Sequence, residues 1–225
     1  LDYVRVFLDP RWHQGLFAWL IPISKDKARI GTVARTGRSA YVMLRDFMRC
    51  EDEVNELLGS DARVVKLMAG FINLKGLSKS WVSRGGRVAL VGDVAGQSKP
   101  TTGGGIVMGG LAAQLLADRI KEKNLKNYRS FFIRRYGREY FFMSMLRRVL
   151  DDMGSDLWEI LRSCLGRRNL KMLAVQYGDM DFQSYLIAKS FLKGIYGISK
   201  LRGKNIYLLI KLTSAVVRGV MYAIH

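Results

Sequence analysis

From residue 87 to residue 123 the chain changes pattern twice, and any fold must accommodate both changes. Arg87-Val-Ala-Leu-Val91 is an apolar, β-branched run set between Gly85-Gly86 and Gly92-Asp93, which predicts a short buried strand. A loop rich in glycine and threonine follows, and from Gly105 to about Lys123 the apolar residues take helical spacing. Strand, glycine-rich loop and helix, in that order, is the local architecture of nucleotide and phosphate sites in α/β proteins.

The loop reads Gly92-Asp-Val-Ala-Gly-Gln-Ser-Lys-Pro-Thr-Thr-Gly-Gly-Gly-Ile106. A carboxylate at the end of a strand, Asp93, can accept hydrogen bonds from ligand hydroxyls such as those of a ribose or ribityl chain. Gly103, Gly104 and Gly105 lack Cβ atoms, so their backbone can approach a flat ligand closely. They lead into a helix whose unpaired N–H groups and dipole favour negative charge, as near the pyrimidine ring of a reduced flavin. That dipole contributes ~0.3–2 kcal/mol, enough to tune such a ligand but not to hold it. Along the helix, Gly105, Gly109, Ala113 and Ala117 form a stripe of small residues. In a membrane the stripe would be a dimerisation face. Beside a ligand loop it predicts close helix-to-sheet packing, with Ile106, Leu111, Leu115 and Leu116 in the core.

Upstream, residues 3–8, 16–21 and 28–34 are short, β-rich and separated by turn residues such as Asp9-Pro10 and Lys25-Asp26-Lys27, so three strands are expected. Phe17, Trp19 and Ile21 alternate on one strand face, and Pro22 is expected to end that strand. Such an aromatic stripe suits core packing or a ligand wall. Residues 39–58 predict a helix stopped by Gly59, and residues 63–71 a return to the sheet. Apolar spacings of three and four predict further helices over 128–150 and 205–224.

Taken whole, the run from Gly92 to Ile106 resembles the flavin-binding segment of the geranylgeranyl reductase family, which carries Gly-Asp-Ala-Ala-Gly, then Pro, then Gly-Gly-Gly-Ile leading into a helix. Val94 stands where the family more often has alanine, and the spacing fits without gaps. The resemblance implies FAD as cofactor, bound by Gly92, Asp93, Gly96, Pro100, Gly103, Gly104, Gly105 and Ile106. Asp93 would hold the ribityl chain, while Pro100 and the backbone of residues 103–106 would line the isoalloxazine. Phe17-Ala-Trp-Leu-Ile-Pro22, followed by Gly31, is similar to the family's Tyr-x-Trp-x-Phe-Pro signature and the later glycine of its substrate-binding sheet. Trp19, Pro22 and Gly31 match, whereas Phe17 replaces a tyrosine and loses its hydroxyl, and Ile21 replaces a phenylalanine. Phe17, Trp19, Ile21, Pro22 and Gly31 are thereby implied at the substrate.

The match is clearest over residues 2–124. No GxGxxG turn, which binds the ADP half of FAD in that family, occurs here; Gly103, Gly105 and Met108 fail at the third glycine. With Leu1 opening directly into a strand-like run, the chain is expected to be the carboxyl-terminal portion of such an enzyme, truncated or encoded separately. The implied fold is α/β: the C-terminal part of an FAD-binding Rossmann-like domain, with an antiparallel substrate-binding sheet and a helical C-terminal region. Its divisions would be 1–84 (sheet and helix), 85–124 (flavin strand, loop and helix) and 125–225 (helices). The implied activity is FAD-dependent saturation of C=C bonds in geranylgeranyl, that is isoprenoid, chains of archaeal-type membrane lipids. The implied partners are an isoprenoid lipid substrate, an electron donor (NAD(P)H or ferredoxin-like) and a separate N-terminal ADP-binding half. No residue is assigned as proton donor. A flavin-dependent monooxygenase shares the Gly-Asp segment, but Trp19, Pro22 and the Gly-Gly-Gly-Ile run argue against it. A non-catalytic, basic membrane-associated fragment is the alternative outside enzymes.

Charge separates the two halves. The chain carries 37 Lys and Arg against 19 Asp and Glu, a formal charge of +18. Residues 1–117 hold 16 basic and 10 acidic side chains and residues 118–225 hold 21 and 9, so most of the excess lies in the second half. At 49% hydrophobic and 25% charged, the composition is globular. Lys204, Lys211 and Arg218 recur every seven residues in the apolar terminal segment. That helix suits an anionic membrane interface or a core position with snorkelling lysines.

Aromatics and arginines interleave over 127–142 as on a nucleic-acid stacking platform. No nucleic-acid signature accompanies them, so an amphipathic helix is expected, with Phe131, Phe132 and Tyr136 packed and Arg134, Arg135 and Arg138 in water. The two cysteines, Cys50 and Cys164, form no CxxC, which excludes a disulfide scaffold and a four-cysteine zinc site. They suit a reduced cytoplasmic setting, at most peripheral at the inner membrane face. Cys50, beside Glu51 and Asp52, reads as structural and not as a thiolate. His13 and His225 are isolated, so no multi-histidine metal site is expected, and His13 should lie in an exposed loop. The longest charge-free run, 100–117, opens with two threonines and three glycines after Pro100, unlike a membrane span.

Overall fold

Three short strands, β1 (Arg5–Phe7), β2 (Ala18–Ser24) and β3 (Lys27–Gly31), pair antiparallel in that order in the computed structural model. It describes residues 3–9, 11–13, 16–35, 37–153, 171–172, 175–185, 214 and 216–218. With helices on either side of the loop region as well, the fold is α/β. The chain divides into two units, Leu1–Gly70 and Phe71–His225, each with a core of its own.

In the first unit, alternation along β2 turns Ala18 and Leu20 inward, at 0% and 3% exposure, and leaves Phe17, Trp19 and Ile21 half-buried on the other face. Helix α1 (Ala40–Cys50) starts where the Ser39 hydroxyl accepts the Val42 N–H at 3.3 Å, a side-chain cap for an orphan donor. Met43 and Phe47, one turn apart, form its buried stripe. Phe47 meets Phe7 edge-on at 5.0 Å and Trp12 at 5.8 Å, closing a core with Ala18, Leu20 and Val54.

The helix expected over 39–58 is two helices, α1 and α2 (Asp52–Leu58), broken at Glu51. The Glu51 carboxylate accepts the Trp12 indole N–H at 2.6 Å, while its own N–H still bonds Phe47 O at 3.2 Å. Glu51 thus closes one helix and opens the next with an extended backbone. Gly59 stops α2, at φ +67°. Pro22 does not end β2, which continues to Ser24 with an irregular register against β3 between those residues. His13 is buried at 9% exposure and not in an open loop, and Cys50 is an exposed free thiol at the end of α1 and not a structural one. Residues 63–71 join no strand, and Val65 and Phe71 stand 81% and 99% exposed. Among the described residues no strand edge pairs with them, so their β-propensity has nothing to act on.

The second unit is built on α3 (Ile106–Lys121) and α4 (Tyr128–Met153), linked by a 3-10 turn at Leu125–Asn127. Both helices match their expected spans closely. Tyr128, Phe132, Tyr136, Tyr140 and Met143 recur along one side of α4 and pack with Trp81, Met108 and Ala112. Trp81 lies 5.1 Å from Tyr128 and 5.0 Å from Phe132 between ring centroids. Arg134, Arg135 and Arg138 are exposed, as expected. Phe131 is not in the core; it is half-buried between the guanidiniums of Arg119 and Arg134, at 4.2 and 4.4 Å.

The buried strand expected at 87–91 is reduced to one bridge, Val82 to Ala89. It closes a hairpin in which Ser83 N–H bonds Val88 O at 2.9 Å and Leu90 N–H bonds Trp81 O at 2.8 Å. The hairpin satisfies one edge only, and Val88 remains 60% exposed. The small-residue stripe also differs from expectation. A Cβ on Gly109 would meet Gly92 Cα at 3.7 Å, but Ala113 and Ala117 are exposed. Helix α3 packs through Met108 and Ala112, flanked by Leu111, Leu115 and Leu116, whereas Ile106 is 93% exposed and outside the core. Cys164, Lys204, Lys211 and most of 205–224 lie outside the described residues. Arg218 is within them and pairs with Asp152 at 2.7 Å. Among the described residues no helix is long and apolar enough to cross a membrane.

Candidate functional site

Gly92–Ala95 forms a single 3-10 turn that Gly96 ends in the left-handed region, at φ +74°. A Cβ on Gly96 would fall 2.0 Å from the Gly76 carbonyl oxygen, so no other residue fits. Ala95 O accepts the Ser78 N–H at 3.0 Å, and Ser98 Oγ donates to Asn73 O at 2.9 Å. These bonds pin the turn to the preceding 73–78 segment.

Gln97, fully buried, organises the interior of the loop. Its Oε1 accepts the Gly92 N–H at 2.6 Å, and its Nε2 donates to the Tyr128 hydroxyl at 2.8 Å. Its carbonyl accepts from the Tyr140 hydroxyl. Burial pushes the Tyr128 phenol up, opposed by the bond to Gln97. Burial also pushes the Tyr140 phenol far up, and the charges of Asp93 and Tyr128 add to that. Both α4 tyrosines are therefore neutral hydrogen-bonding groups at any physiological pH.

The other side of the loop is closed by Lys99 N–H to Gly104 O at 2.9 Å and Gly103 N–H to Lys99 O at 2.8 Å. The Lys99 side chain is 7% exposed, and its ammonium donates to Asp181 Oδ1 and Met180 O, each at 2.6 Å. Thr101 Oγ1 donates to Gln183 Oε1 at 2.6 Å. The turn bearing these partners is held by the Asp179 carboxylate, which accepts the Asp181 and Phe182 N–H groups at 2.7 and 2.9 Å. Those bonds keep the Asp179 carboxyl below its ordinary range.

Above this buried base lies an open rim. Residues 95–101 are buried, while Asp93, Val94, Ile106 and Val107 are exposed. A Cβ on Gly105 would lie 2.5 Å from Asp93 Oδ1, and one on Gly104 2.8 Å from Lys99 Cε. Gly105 is the residue before the first turn of α3, so the Asp93 carboxylate lies at the positive end of that helix. The rim thus offers a carboxylate acceptor, backbone without side chains at 103–105, and the apolar Ile106. A flat ligand with hydroxyls on its tail, such as a flavin, fits that donor set and that shape. Gly92, Asp93, Gly96, Pro100, Gly103, Gly104, Gly105 and Ile106 all belong to this loop, with Gly96 and Pro100 in its buried base.

In the first unit, Phe17 and Trp19 meet edge-on at 5.9 Å on the half-buried face of β2. Gly31 lies opposite Trp19 in the ladder, and a Cβ there would come 2.1 Å from Trp19 Cζ2. The glycine leaves room for the indole. Ile21 shares that face, and Pro22 follows on the same strand, half-buried. Sequence reasoning missed Gln97, Lys99, Tyr128, Tyr140, Asp181 and Gln183. A glutamine and a lysine within a glycine loop carry no periodic signal, and their partners are up to 82 residues away.

No family model matches the chain. It is 27% identical over 194 residues to an uncharacterised protein of Methanocaldococcus jannaschii, covering 84% of this chain and 49% of that protein. It is 24% identical over 185 residues to digeranylgeranylglycerophospholipid reductase 2 of Methanopyrus kandleri, covering 76% and 46%. It is 27% identical over 174 residues to digeranylgeranylglycerophospholipid reductase 3 of Methanosphaera stadtmanae, covering 72% and 42%. The chain spans about half the length of these curated relatives or less. The chain is accordingly similar, at 24–30% identity, to part of the archaeal digeranylgeranylglycerophospholipid reductases.

Proposed function

We propose that this chain is the flavin- and substrate-contacting part of an FAD-dependent reductase that saturates C=C bonds in the isoprenoid chains of membrane lipids. The observation that carries this reading is the rim of the glycine loop, with Asp93 beside Gly105 at the start of α3, in a chain whose relatives are named reductases of such lipids. Bound there, reduced FAD would supply a hydride to an alkene carbon. The chain's own part is binding and orientation. Asp93 accepts from a ribityl hydroxyl, and the N–H groups of the first turn of α3 offset negative charge on the ring. Residues 103–105, free of side chains, let the ring approach. Phe17 and Trp19 offer an isoprenoid chain an apolar face that excludes water. The reading includes three partners: an ADP-binding half, an electron donor (NAD(P)H or a ferredoxin-like protein), and an anionic membrane surface drawn to the basic second half.

The test is a flavin titration of the chain, alone and with the ADP-binding half of a related reductase added as a second polypeptide. The chain alone is expected to bind FAD weakly, and the pair saturably. In the pair, Asp93→Ala should cost about 1.5–3 kcal/mol of affinity, through loss of a charged acceptor. Gly104→Val should cost more, because a Cβ there falls 2.8 Å from Lys99 Cε and would displace the lysine that ties the loop to Asp181. Unchanged flavin affinity in both variants, with circular dichroism unaltered, would overturn the proposal.

A further inference from the structure

An open cleft of about 610 Å³ on the second unit is lined by Arg134, Arg135 and Arg138 of α4, with Leu111, Tyr136 and Phe182 as apolar walls and Glu139 beside them. Three cations converge on one cleft, and the cleft's own carboxylate is engaged elsewhere. Glu139 accepts the Ser184 N–H at 2.8 Å and the Ser184 hydroxyl. Among the described residues, none of the three guanidiniums forms an ion pair. Two of them lie against rings instead, Arg134 at 4.4 Å from Phe131 and Arg135 at 5.7 Å from Tyr136. Stacking uses the face of a guanidinium and leaves the N–H donors in its plane for an acceptor. A tetrahedral oxyanion matches such a planar fork of donors better than water does.

The apolar side of the cleft is equally specific. Phe182 is 39% exposed and packs 6.5 Å from Tyr136. It also belongs to the 179–184 turn that Lys99 and Thr101 hold from the glycine loop. The cleft and the loop therefore share one wall. Cations beside exposed aromatic and aliphatic surface suit a ligand that is anionic at one end and apolar next to it. We infer that Arg134, Arg135 and Arg138 bind the phosphate group of an amphiphile whose apolar part runs along Leu111 and Phe182. That this amphiphile is the reductase substrate rests on the function proposed above; the phosphate site itself does not.

The experiment needs neither flavin nor turnover, so its failure and that of the reductase reading are distinguishable. Titration calorimetry of the whole chain with glycerol 1-phosphate would be paired with flotation on phosphatidylcholine vesicles with and without phosphatidic acid. Saturable binding should fall about tenfold or more in Arg134→Gln/Arg135→Gln/Arg138→Gln. It should change less than about twofold in the charge-matched control Lys25→Gln/Lys27→Gln/Arg29→Gln. Should the triple variant prove unstable, competition with the unaltered chain serves equally, since glycerol 1-phosphate should displace it from the acidic vesicles. Displacement identifies a lipid headgroup; binding of glycerol 1-phosphate without preference for the acidic vesicles identifies a free phosphate ester. Equal loss of vesicle binding in both triple variants, no detectable glycerol 1-phosphate binding, or tighter retention on a single-stranded oligonucleotide would each overturn the inference.

Discussion

In the sheet of the first unit, backbone groups bond backbone groups of neighbouring strands, with Trp19 opposite Gly31 and Leu20 opposite both Ile30 and Arg5. In the glycine loop of the second unit, side chains do much of that work. Gln97 takes the Gly92 N–H, Tyr140 bonds the Gln97 carbonyl, and Lys99 and Thr101 tie down the 179–184 turn. The first arrangement depends on apolar burial around Phe47, the second on completed polar networks inside a buried base. A sheet of this kind should tolerate polar substitutions on its open edges and fail when its core is emptied. The loop should fail when a single amide is removed.

The contrast can be broken in three ways. The largest expected effect is Phe47→Ala, which empties the contact between Phe7, Trp12 and Val54 and should cost about 3–5 kcal/mol. Urea denaturation checks it, and a loss below about 1 kcal/mol would mean the first unit does not depend on that core. Next is Gln97→Leu, which leaves the Gly92 N–H and the Tyr128 hydroxyl without their partner, for about 1–3 kcal/mol. Its signature should be faster hydrogen exchange at Gly92 and Gly103, with amides of β2 unaffected; uniform acceleration across the chain would erase the distinction.

The smallest effect is on pH. Burial raises the Tyr140 phenol above its ordinary value of 10.0 in the folded state. The stability this contributes is complete below that pH and is lost as pH rises through and beyond it, by about 1.4 kcal/mol per pH unit. Thermal unfolding above pH 10 should show that slope, and Tyr140→Phe should flatten it. An identical slope in the variant would assign the alkaline sensitivity to other groups.

What was legible in the sequence follows the same division. Helical spacing located α3 and α4, and Gly59 marked the end of α2, because those signals lie within a few residues of one another. The break at Glu51 was not visible, since the partner of its carboxylate there is an indole 39 residues away. The apolar run at 87–91 reads as a buried strand, but burial depends on what covers it, and Val88 is largely open. In the loop, the glycines and Asp93 were legible as a rim that a ligand could approach. The base beneath was not, because Gln97 and Lys99 take their meaning from Tyr128, Tyr140 and Asp181.

The fit of the Trp19 indole over Gly31 has an evolutionary consequence. With only 2.1 Å between a would-be Cβ and the indole, the two positions cannot vary independently. Alanine at position 31 displaces the indole while Trp19 is present, yet becomes harmless once a small residue has replaced the tryptophan. The order of change is thereby biased: replacing the glycine costs least after the tryptophan has gone. Reversal is blocked in turn, because a larger residue at 31 would bar the indole from returning. Descendants that have lost the aromatic wall would then be held to that loss by a single methyl group on the neighbouring strand.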